Sequence, residues 1–590
     1  MPKVTIDGIT IEVPEGTTIL QAAKKAGINI PTLCYLEEVQ AIGACRVCLV
    51  EVEGARTLVA SCVMPVSDGM KVKTNTKRVR EARQMVLELL LSDHDGDCQT
   101  CVRNEDCELQ ALARTLGIKE IRYQGEKSRR IVDDSTPALI RDTAKCGLCR
   151  RCVTVCNEVQ GVGGLFPQYR GFETVIGPAF ASNLNDVVCV QCGQCSAVCP
   201  VGAIVEKDQI AEVFSALDDP NKVVVVQTAP AIRAALGECF GLPPGTLVTG
   251  KMVTALRRLG FDAVFDTNFA ADLTIIEEGN ELLERLKKKL VEGKDVPIPM
   301  FTSCSPGWIK FFEHFYPDML PHLSTCKSPQ QMFGAIAKTY YAEKIGKKPE
   351  DIIVVSVMPC TAKKYEHQRP EMNASGVRDV DYVLTTRELG RMIKMAGIDF
   401  ASLPDGKQDS PLGASSGAAD IFANTGGVME AALRTVYEII TGRDLPFEKL
   451  HVTPIVGLEG IKEASIKIEG CIPEWSFLEG VTLNVAVAHG LGNARKLIEL
   501  VRSGERNYHF VEIMTCPGGC IGGGGQPRLT TNNVRKARIQ AIYQEDEGKP
   551  IRKSHKNPEI IQLYQEFLGH PLSEKSHHLL HTHYYQRSKV

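Results

Sequence analysis

A chain of 590 residues with 44% hydrophobic and 24% charged residues has the composition of a globular protein, and it is too long for one hydrophobic core, so roughly two to four domains are expected. A formal net charge of -3 points neither to nucleic acid nor to an acidic membrane surface. The longest apolar runs (223–226 and 352–355) are far short of a membrane span. Residues 1–8 carry no apolar signal core and no twin-arginine pair, so a cytoplasmic location is expected. There are 22 cysteines. Most fall in tight groups, a spacing that a metal cluster needs and disulfides do not, and in a cytosolic chain this favours metal.

The first segment, 1–78, alternates β-like runs (3–6, 10–13) with a helix that starts after residues 15–18 and stops at Ala26-Gly27. Cys34, Cys45, Cys48 and Cys62 follow in a C-x10-C-x2-C-x13-C spacing. Residues 79–124 open with an amphipathic helix over 81–92, with Met85, Val86, Leu89 and Leu90 at helical spacing. That helix runs into His94, Cys98, Cys101 and Cys107, and a polar stretch over 125–137 reads as a linker. Within 137–216, Cys146-x2-Cys149-x2-Cys152-x3-Cys156 recurs as Cys189-x2-Cys192-x2-Cys195-x3-Cys199-Pro200. From about residue 221 onward strand-like runs alternate with helical patterns, including 281–292 and 427–441, which argues an α/β domain over 221–590.

The repeat is the most specific pattern, because C-x2-C-x2-C-x3-C twice over is the bacterial ferredoxin signature for two 4Fe–4S clusters. By that rule the fourth cysteine of each run serves the other cluster. One cluster takes Cys146, Cys149, Cys152 and Cys199, and the other Cys189, Cys192, Cys195 and Cys156. Asn157 stands where the signature has its first proline. Zinc is the competing reading, but it usually takes two CxxC pairs. His94 with Cys98, Cys101 and Cys107 also suits either zinc or a 4Fe–4S cluster with one imidazole ligand. The first four cysteines depart from plant-type ferredoxin spacing. They still resemble the 2Fe–2S domain at the front of complex I's large subunit and of several hydrogenases, and the His/Cys3 group in second place resembles the same families.

In the last domain, apolar runs at 296–301, 352–357 and 509–513 each lead into a cysteine: Cys304, Cys360, and Cys516 with Cys520. A fourth run, 223–226, leads to Ala229-Pro230-Ala231. Ligands bind beyond the carboxyl ends of strands in open α/β sheets, so these cysteines are expected to converge on one site. The glycines of Gly522-Gly523-Gly524-Gly525-Gln526-Pro527 would let backbone approach a bulky cofactor.

These residues resemble the three signature motifs of iron-iron (FeFe) hydrogenases, TSCCPxW, MPCxxKxxE and ExMxCxxGCxxGGGQP. The second and third match in full, at 358–366 and 512–527. The resemblance covers almost the whole chain. It implies a β-grasp ferredoxin-like 2Fe–2S domain, a His/Cys3 4Fe–4S domain, a bacterial 2×(4Fe–4S) ferredoxin domain and a large α/β H-cluster domain. The H-cluster is a 4Fe–4S cubane joined through one cysteine to a diiron unit carrying CO, cyanide and azadithiolate. Cys360, Cys516 and Cys520 would ligate the cubane, with Cys520 as the bridge. Lys363 and the backbone near Pro230 would hold the cyanides, and Met358 and Met514 would pack around the diiron unit.

The first motif departs from the family. Ser305 stands where the second cysteine, a cubane ligand, is found. Either the serine is an unusual ligand, or Cys304 ligates and the proton relay differs. Ala231 likewise replaces a serine common near the cyanide pocket. The implied proton path is Cys304, Glu278, Ser324, Glu281 and Arg285, groups that can hand protons through a dry domain; a solvated helix face is the plain alternative for the acids. Cys239, Cys326 and Cys471 read as ordinary core thiols. Residues 489–495 hint at a dinucleotide fingerprint, but its third glycine is missing. His577, His578, His581 and His583 read as a helical or frayed tail. The activity implied is interconversion of H2 with protons and electrons. Ser305 and Ala231 resemble NAD(P)-linked enzymes, which suggests a flavoprotein subunit and a small 2Fe–2S subunit as partners. Soluble ferredoxin is the alternative carrier. An electron-transfer protein like complex I's large subunit, an H2 sensor and an iron–sulfur assembly scaffold are the competing functions.

Overall fold

A computed structural model describes residues 1–128, 130–528 and 530–588. The N-terminal unit is a five-stranded mixed sheet, in which Lys3–Ile6 pairs antiparallel with Ile9–Glu12 and parallel with Met70–Lys73. Helix Ile19–Lys25 packs on it, capped by a reciprocal Thr18/Gln21 box and followed by Gly27 at φ +75°. Val4, Ile6, Ile19, Ala22, Val50 and Val72 form its core.

Helix Lys77–Asp93 begins just before the expected boundary, and its expected apolar face is covered in part, with Val86 and Leu90 packed on the core. Val79 and Leu87 are buried, whereas Met85 and Leu89 are 48% and 49% exposed. Arg83 takes an interior place because its guanidinium donates to Leu49 O at 2.7 and 2.9 Å. The 125–137 stretch is no free linker. Ser128 N donates to Asp93 Oδ1 (2.7 Å), Ile131 N donates to Thr143 Oγ1 (2.8 Å), and Val132–Asp133 pairs with Leu139–Asp142; residue 129 lies outside the described residues.

The last domain holds two four-stranded sheets. The first has the order Ala263–Asp266, Val223–Thr228, Ile352–Met358, Tyr382–Thr385, all parallel. The second has the order Met300–Phe301, Phe510–Met514, Thr482–His489, Ile461–Lys467, with only the last pairing antiparallel. The 296–301 run is a strand only at Met300–Phe301, since Pro297 and Pro299 have no N–H to give a ladder. Helix Thr267–Leu290 starts well before the expected 281, because its first half is buried all round and shows no amphipathic period. It packs against helices Pro329–Ile336 and Gly427–Thr441. Residues 581–588 are not frayed. Thr582 N donates to Thr325 O (2.7 Å), Arg587 N to Glu313 O (2.9 Å), and His581 is buried. Among the described residues no helix is long and apolar enough to cross a membrane.

Candidate cofactor and active site

The two ferredoxin-type groups assemble in the crossed pairing. Cys146, Cys149, Cys152 and Cys199 line one cavity, and Cys156, Cys189, Cys192 and Cys195 line the next. Backbone N–H groups two residues on from each of Cys146, Cys149, Cys189 and Cys192 donate to the sulfur. Left-handed residues such as Leu148 (φ 51°) and Gln191 (φ 56°) belong to these loops, and such turns form cradles of N–H groups for anionic clusters. Burial pushes the thiols up, Cys146 to about 12 and Cys156 to about 11; as bare thiols they stay neutral, and a cluster replaces those protons with iron. Among the described residues the sole His/Cys/Asp/Glu trio with all ligand atoms within 4.8 Å of one another is Glu281, Cys326 and His581. No three sulfurs of either ferredoxin-type quartet lie that close together.

The groups adjoin one another. Gln40 Nε2 donates to Cys34 O (2.7 Å) and Cys149 O (3.0 Å), tying the first quartet to the third group. Cys34, Cys45, Cys48 and Cys62 are all buried. Arg103, between Cys101 and Cys107, donates to Cys199 O (2.8 Å). His94 Nδ1 accepts from Gly96 N at 3.0 Å and lies 3.1 Å from Asp95 Oδ1, contacts that fix the ring on the loop leading to Cys98. At the other end Thr361 Oγ1 donates to Gln191 O (2.7 Å) and Gln194 Nε2 to Gly522 O (2.9 Å). The Cys192 loop thus rests on the loops that follow Cys360 and Cys520.

Cys304, Ser305, Cys360, Cys520, Lys363, Pro230, Met358 and Met514 line one cavity between the two sheets. Cys516 is buried beside Cys360 and Cys520. The glycine loop forms a wall that admits no side chain. A Cβ on Gly523 would lie 2.9 Å from the Pro359 carbonyl carbon, one on Gly524 2.8 Å from Gly193, and one on Gly525 2.8 Å from Thr385. Lys363 Nζ bonds Cys304 O (3.1 Å) and Glu366 Oε2 (2.9 Å). Glu512 accepts from Gly426 N (2.6 Å) and Met429 N (2.7 Å), anchoring helix Gly427–Thr441 to the strand before Cys516; burial raises its carboxyl to about 7. Converging sulfurs, one cation and a mainly apolar lining broken by Thr267, Ser305 and Gln330 fit an anionic iron–sulfur cofactor with small polar ligands.

The family model for the C-terminal domain of the iron-only hydrogenase large subunit matches residues 222–524, and that for the iron hydrogenase small subunit matches 532–587. The chain belongs to the iron-only hydrogenases. A 2Fe–2S cluster binding domain matches 2–77, the iron–sulfur binding region of NADH-ubiquinone oxidoreductase-G matches 83–122, and a 4Fe–4S binding domain matches 185–205. The chain is 57% identical to the NADP-reducing hydrogenase subunit HndD of Solidesulfovibrio fructosivorans over 100% of both chains. It is 40% identical to iron hydrogenase 1 of Clostridium pasteurianum, over 99% of this chain and 100% of that one. The structure of a variant of the FeFe hydrogenase HydA1 of Chlamydomonas reinhardtii aligns with TM-score 0.59 and 46% identity, over 65% of this chain and 100% of that one.

In this hydrogenase the expected relay acids are no solvated helix face. Glu277, Glu278 and Glu281 are all buried. Glu278 lies beside the Ser324 hydroxyl and the Ser303 backbone, and burial with Glu281 nearby raises it to about 8. Ser324 Oγ donates to Glu281 Oε2 (2.9 Å), and Arg285 Nη2 to Glu281 Oε1 (2.7 Å). Cys304 has Glu278 and Cys520 among its charged neighbours, while Ser305 Oγ lies 2.6 Å from Thr515 Oγ1. Of the other cysteines only Cys326 is a core thiol; Cys239 and Cys471 are partly exposed. The 489–495 turn holds a neighbouring loop instead of a dinucleotide: Leu491 N donates to Gln160 Oε1 (2.9 Å), and a Cβ on Gly492 would meet Val159 O at 2.8 Å. Sequence reasoning missed Gln40, Arg103, Gln194 and Thr361, whose partners are distant in the chain, and His581.

Proposed function

We propose that this hydrogenase interconverts H2 with protons and electrons at an H-cluster in the Cys304/Cys360/Cys520 cavity, fed by one 2Fe–2S and three 4Fe–4S accessory clusters. The convergence of Cys360, Cys516 and Cys520 behind the glycine wall carries the reading. When bound, the diiron unit supplies the redox-active iron at which H2 is made and split. Cys360, Cys516 and Cys520 would hold the cubane, and Ser305, beside Thr515, would take the fourth ligand place. Cys304 faces Glu278 and is free to move a proton. Lys363 and the backbone at Pro230 would hold the cyanides, and Met358 and Met514 shield the diiron side from water. A proton travels between Cys304, Glu278, Ser324 and Glu281, with Arg285 fixing Glu281.

The accessory sites follow four units: 1–78, a β-grasp 2Fe–2S domain on Cys34, Cys45, Cys48 and Cys62; 79–124, a 4Fe–4S site on His94, Cys98, Cys101 and Cys107; 137–216, the paired ferredoxin-type sites; and 221–590, the H-cluster domain. Contacts from both the Cys34 and Cys101 groups reach the Cys146/Cys199 site, so two entry points feed one wire. Two entries suit a cytoplasmic complex in which a flavoprotein subunit handles NAD(P)(H) and a small 2Fe–2S subunit assists, in line with the full-length similarity to a subunit of an NADP-reducing hydrogenase. Protein expressed with diiron maturation factors should show CO and cyanide infrared bands and evolve H2 from a reduced low-potential dye. Expressed without them, it should keep its iron–sulfur absorption and stay inactive. Turnover in protein lacking any diiron unit would refute the reading. A monomer that runs at full rate on ferredoxin would refute the complex.

A further inference from the structure

The cavity of Cys156, Cys189, Cys192 and Cys195 is also lined by Gln160, Gln191 and Gln194. A buried amide without a partner is costly, and in a folded protein it points to a ligand or an ordered water. Gln194 is satisfied, because its Nε2 donates to Gly522 O (2.9 Å). Gln191 is 1% exposed, and among the described residues neither its Oε1 nor its Nε2 has a partner. Its backbone is pinned on both sides in a left-handed turn (φ 56°), the N–H on the Cys189 sulfur and the C=O accepting from Thr361 Oγ1 (2.7 Å). Gln160 is likewise 1% exposed. Leu491 N donates to its Oε1 (2.9 Å), which identifies that end as the oxygen. The other end, Nε2, has no partner among the described residues. The cavity of Cys146, Cys149, Cys152 and Cys199 has no carboxamide in its described lining.

We propose that Gln160 and Gln191 donate their side-chain N–H groups to the sulfur of a 4Fe–4S cluster in this cavity, and so set the potential of the electron relay beside the active site. This rests on the reading that the four cysteines hold such a cluster. Reduction adds one negative charge to the cluster, and a hydrogen bond to its sulfur strengthens with that charge. The two amides therefore favour the reduced form and raise the potential.

Placement gives this effect a direction. The Cys192 loop rests on the loops that follow Cys360 and Cys520, so this relay is the first to receive electrons during H2 oxidation. Each H2 gives two protons and two electrons. The electrons pass one at a time onto this relay and on toward the Cys146/Cys199 site, while both amides keep their protons. A raised potential draws electrons off the active site and favours H2 oxidation, the direction that supplies an NAD(P)-linked partner.

The test uses the full chain, matured and carrying its infrared bands, as Q191M, Q191L, Q160M and the Q160M/Q191M pair. Potentials are read by redox titration under electron paramagnetic resonance, with the infrared bands followed in parallel. Each single substitution should lower the reduction equilibrium of one 4Fe–4S wave about tenfold, or ~59 mV for one electron, and the pair should double that shift. The other waves and the infrared midpoints should stay in place. The ratio of H2 oxidation to dye-driven H2 evolution should fall in the same order. Wild-type midpoints in Q191M, Q191L and Q160M, with iron content unchanged, would overturn the proposal and leave the cluster standing. A shift shared by every wave would also overturn it, since two local bonds cannot move distant clusters alike. A lowered wave with an unchanged ratio would overturn the role in direction. Wild-type iron one 4Fe–4S cluster short of the proposed set would instead overturn the underlying reading. Should Q160M, which also loses the Leu491 bond, take up no cluster, Q191M and Q191L decide.

Discussion

Replacing Glu278 by Gln separates the stability and the turnover of this enzyme. Glu278 is fully buried, and burial, reinforced by Glu281, lifts its carboxyl from the ordinary 4.5 to about 8. Below the ordinary value folded and unfolded chains both hold the proton. As pH rises toward 8 the unfolded chain releases it while the folded chain keeps it, so the folded state loses about 1.4 kcal/mol per pH unit. The loss is complete above the folded value, at about 5 kcal/mol. Gln keeps the shape and removes the titration. From pH 6 to pH 8 the stability of E278Q relative to wild type should therefore rise by about 2 kcal/mol, or roughly 3 °C in the melting transition of the last domain. Turnover should fall about a hundredfold or more, because an amide cannot pass the proton on. Calorimetry at both pH values, beside dye-driven H2 evolution and infrared spectra, reads all three. A melting difference that stays constant from pH 6 to pH 8 would refute the claim that the fold holds this carboxyl neutral.

Cys304→Ala should keep the CO and cyanide infrared bands while turnover collapses; loss of the bands would make Cys304 a ligand instead of a relay. Gly524→Ala puts a Cβ against the Cys192 carbonyl and 2.8 Å from Gly193, and should destabilise the domain contact by about 1–3 kcal/mol; an unchanged denaturant midpoint would contradict the close approach. Arg387→Met leaves Glu206 buried, paired only with Arg391 and Arg528 where Arg387 bonded it at 2.6 Å. Because Arg391 still pairs with Glu206, losing this charged hydrogen bond costs about 1.5–3 kcal/mol, to be read as a lower denaturant midpoint with cluster content unchanged.

The grouping of the cysteines was legible because short spacing keeps Cys146, Cys149 and Cys152 on one loop, around one cavity. The cavity was legible for a similar reason, since Cys360 and Cys520 follow strands. That the strands belong to two sheets was not, because register depends on pairings more than a hundred residues apart, such as Met300 with Phe510. Helix Lys77–Asp93 misled because Leu89 is apolar yet faces out, while Arg83 reaches inward to a carbonyl. The tail misled in the opposite sense. Its histidines read as a helical or frayed tail, which holds for His577 and His578 on helix Glu574–Leu580, but nothing local announces that His581 meets Glu277, 304 residues away.

The segment over 581–588 also sets an order of construction. Synthesis delivers the cysteine-rich modules ahead of the last domain, and each of the four ligand groups before residue 200 is complete in sequence before the first strand of that domain exists. The strip that covers Ser324 and Cys326 leaves the ribosome after all of these elements, and Tyr584 then bonds Ser324 O at 2.7 Å while Arg587 takes its place at Glu313. A nascent chain stalled short of residue 581 therefore has its ferredoxin-like half whole and the flank behind its relay open to water.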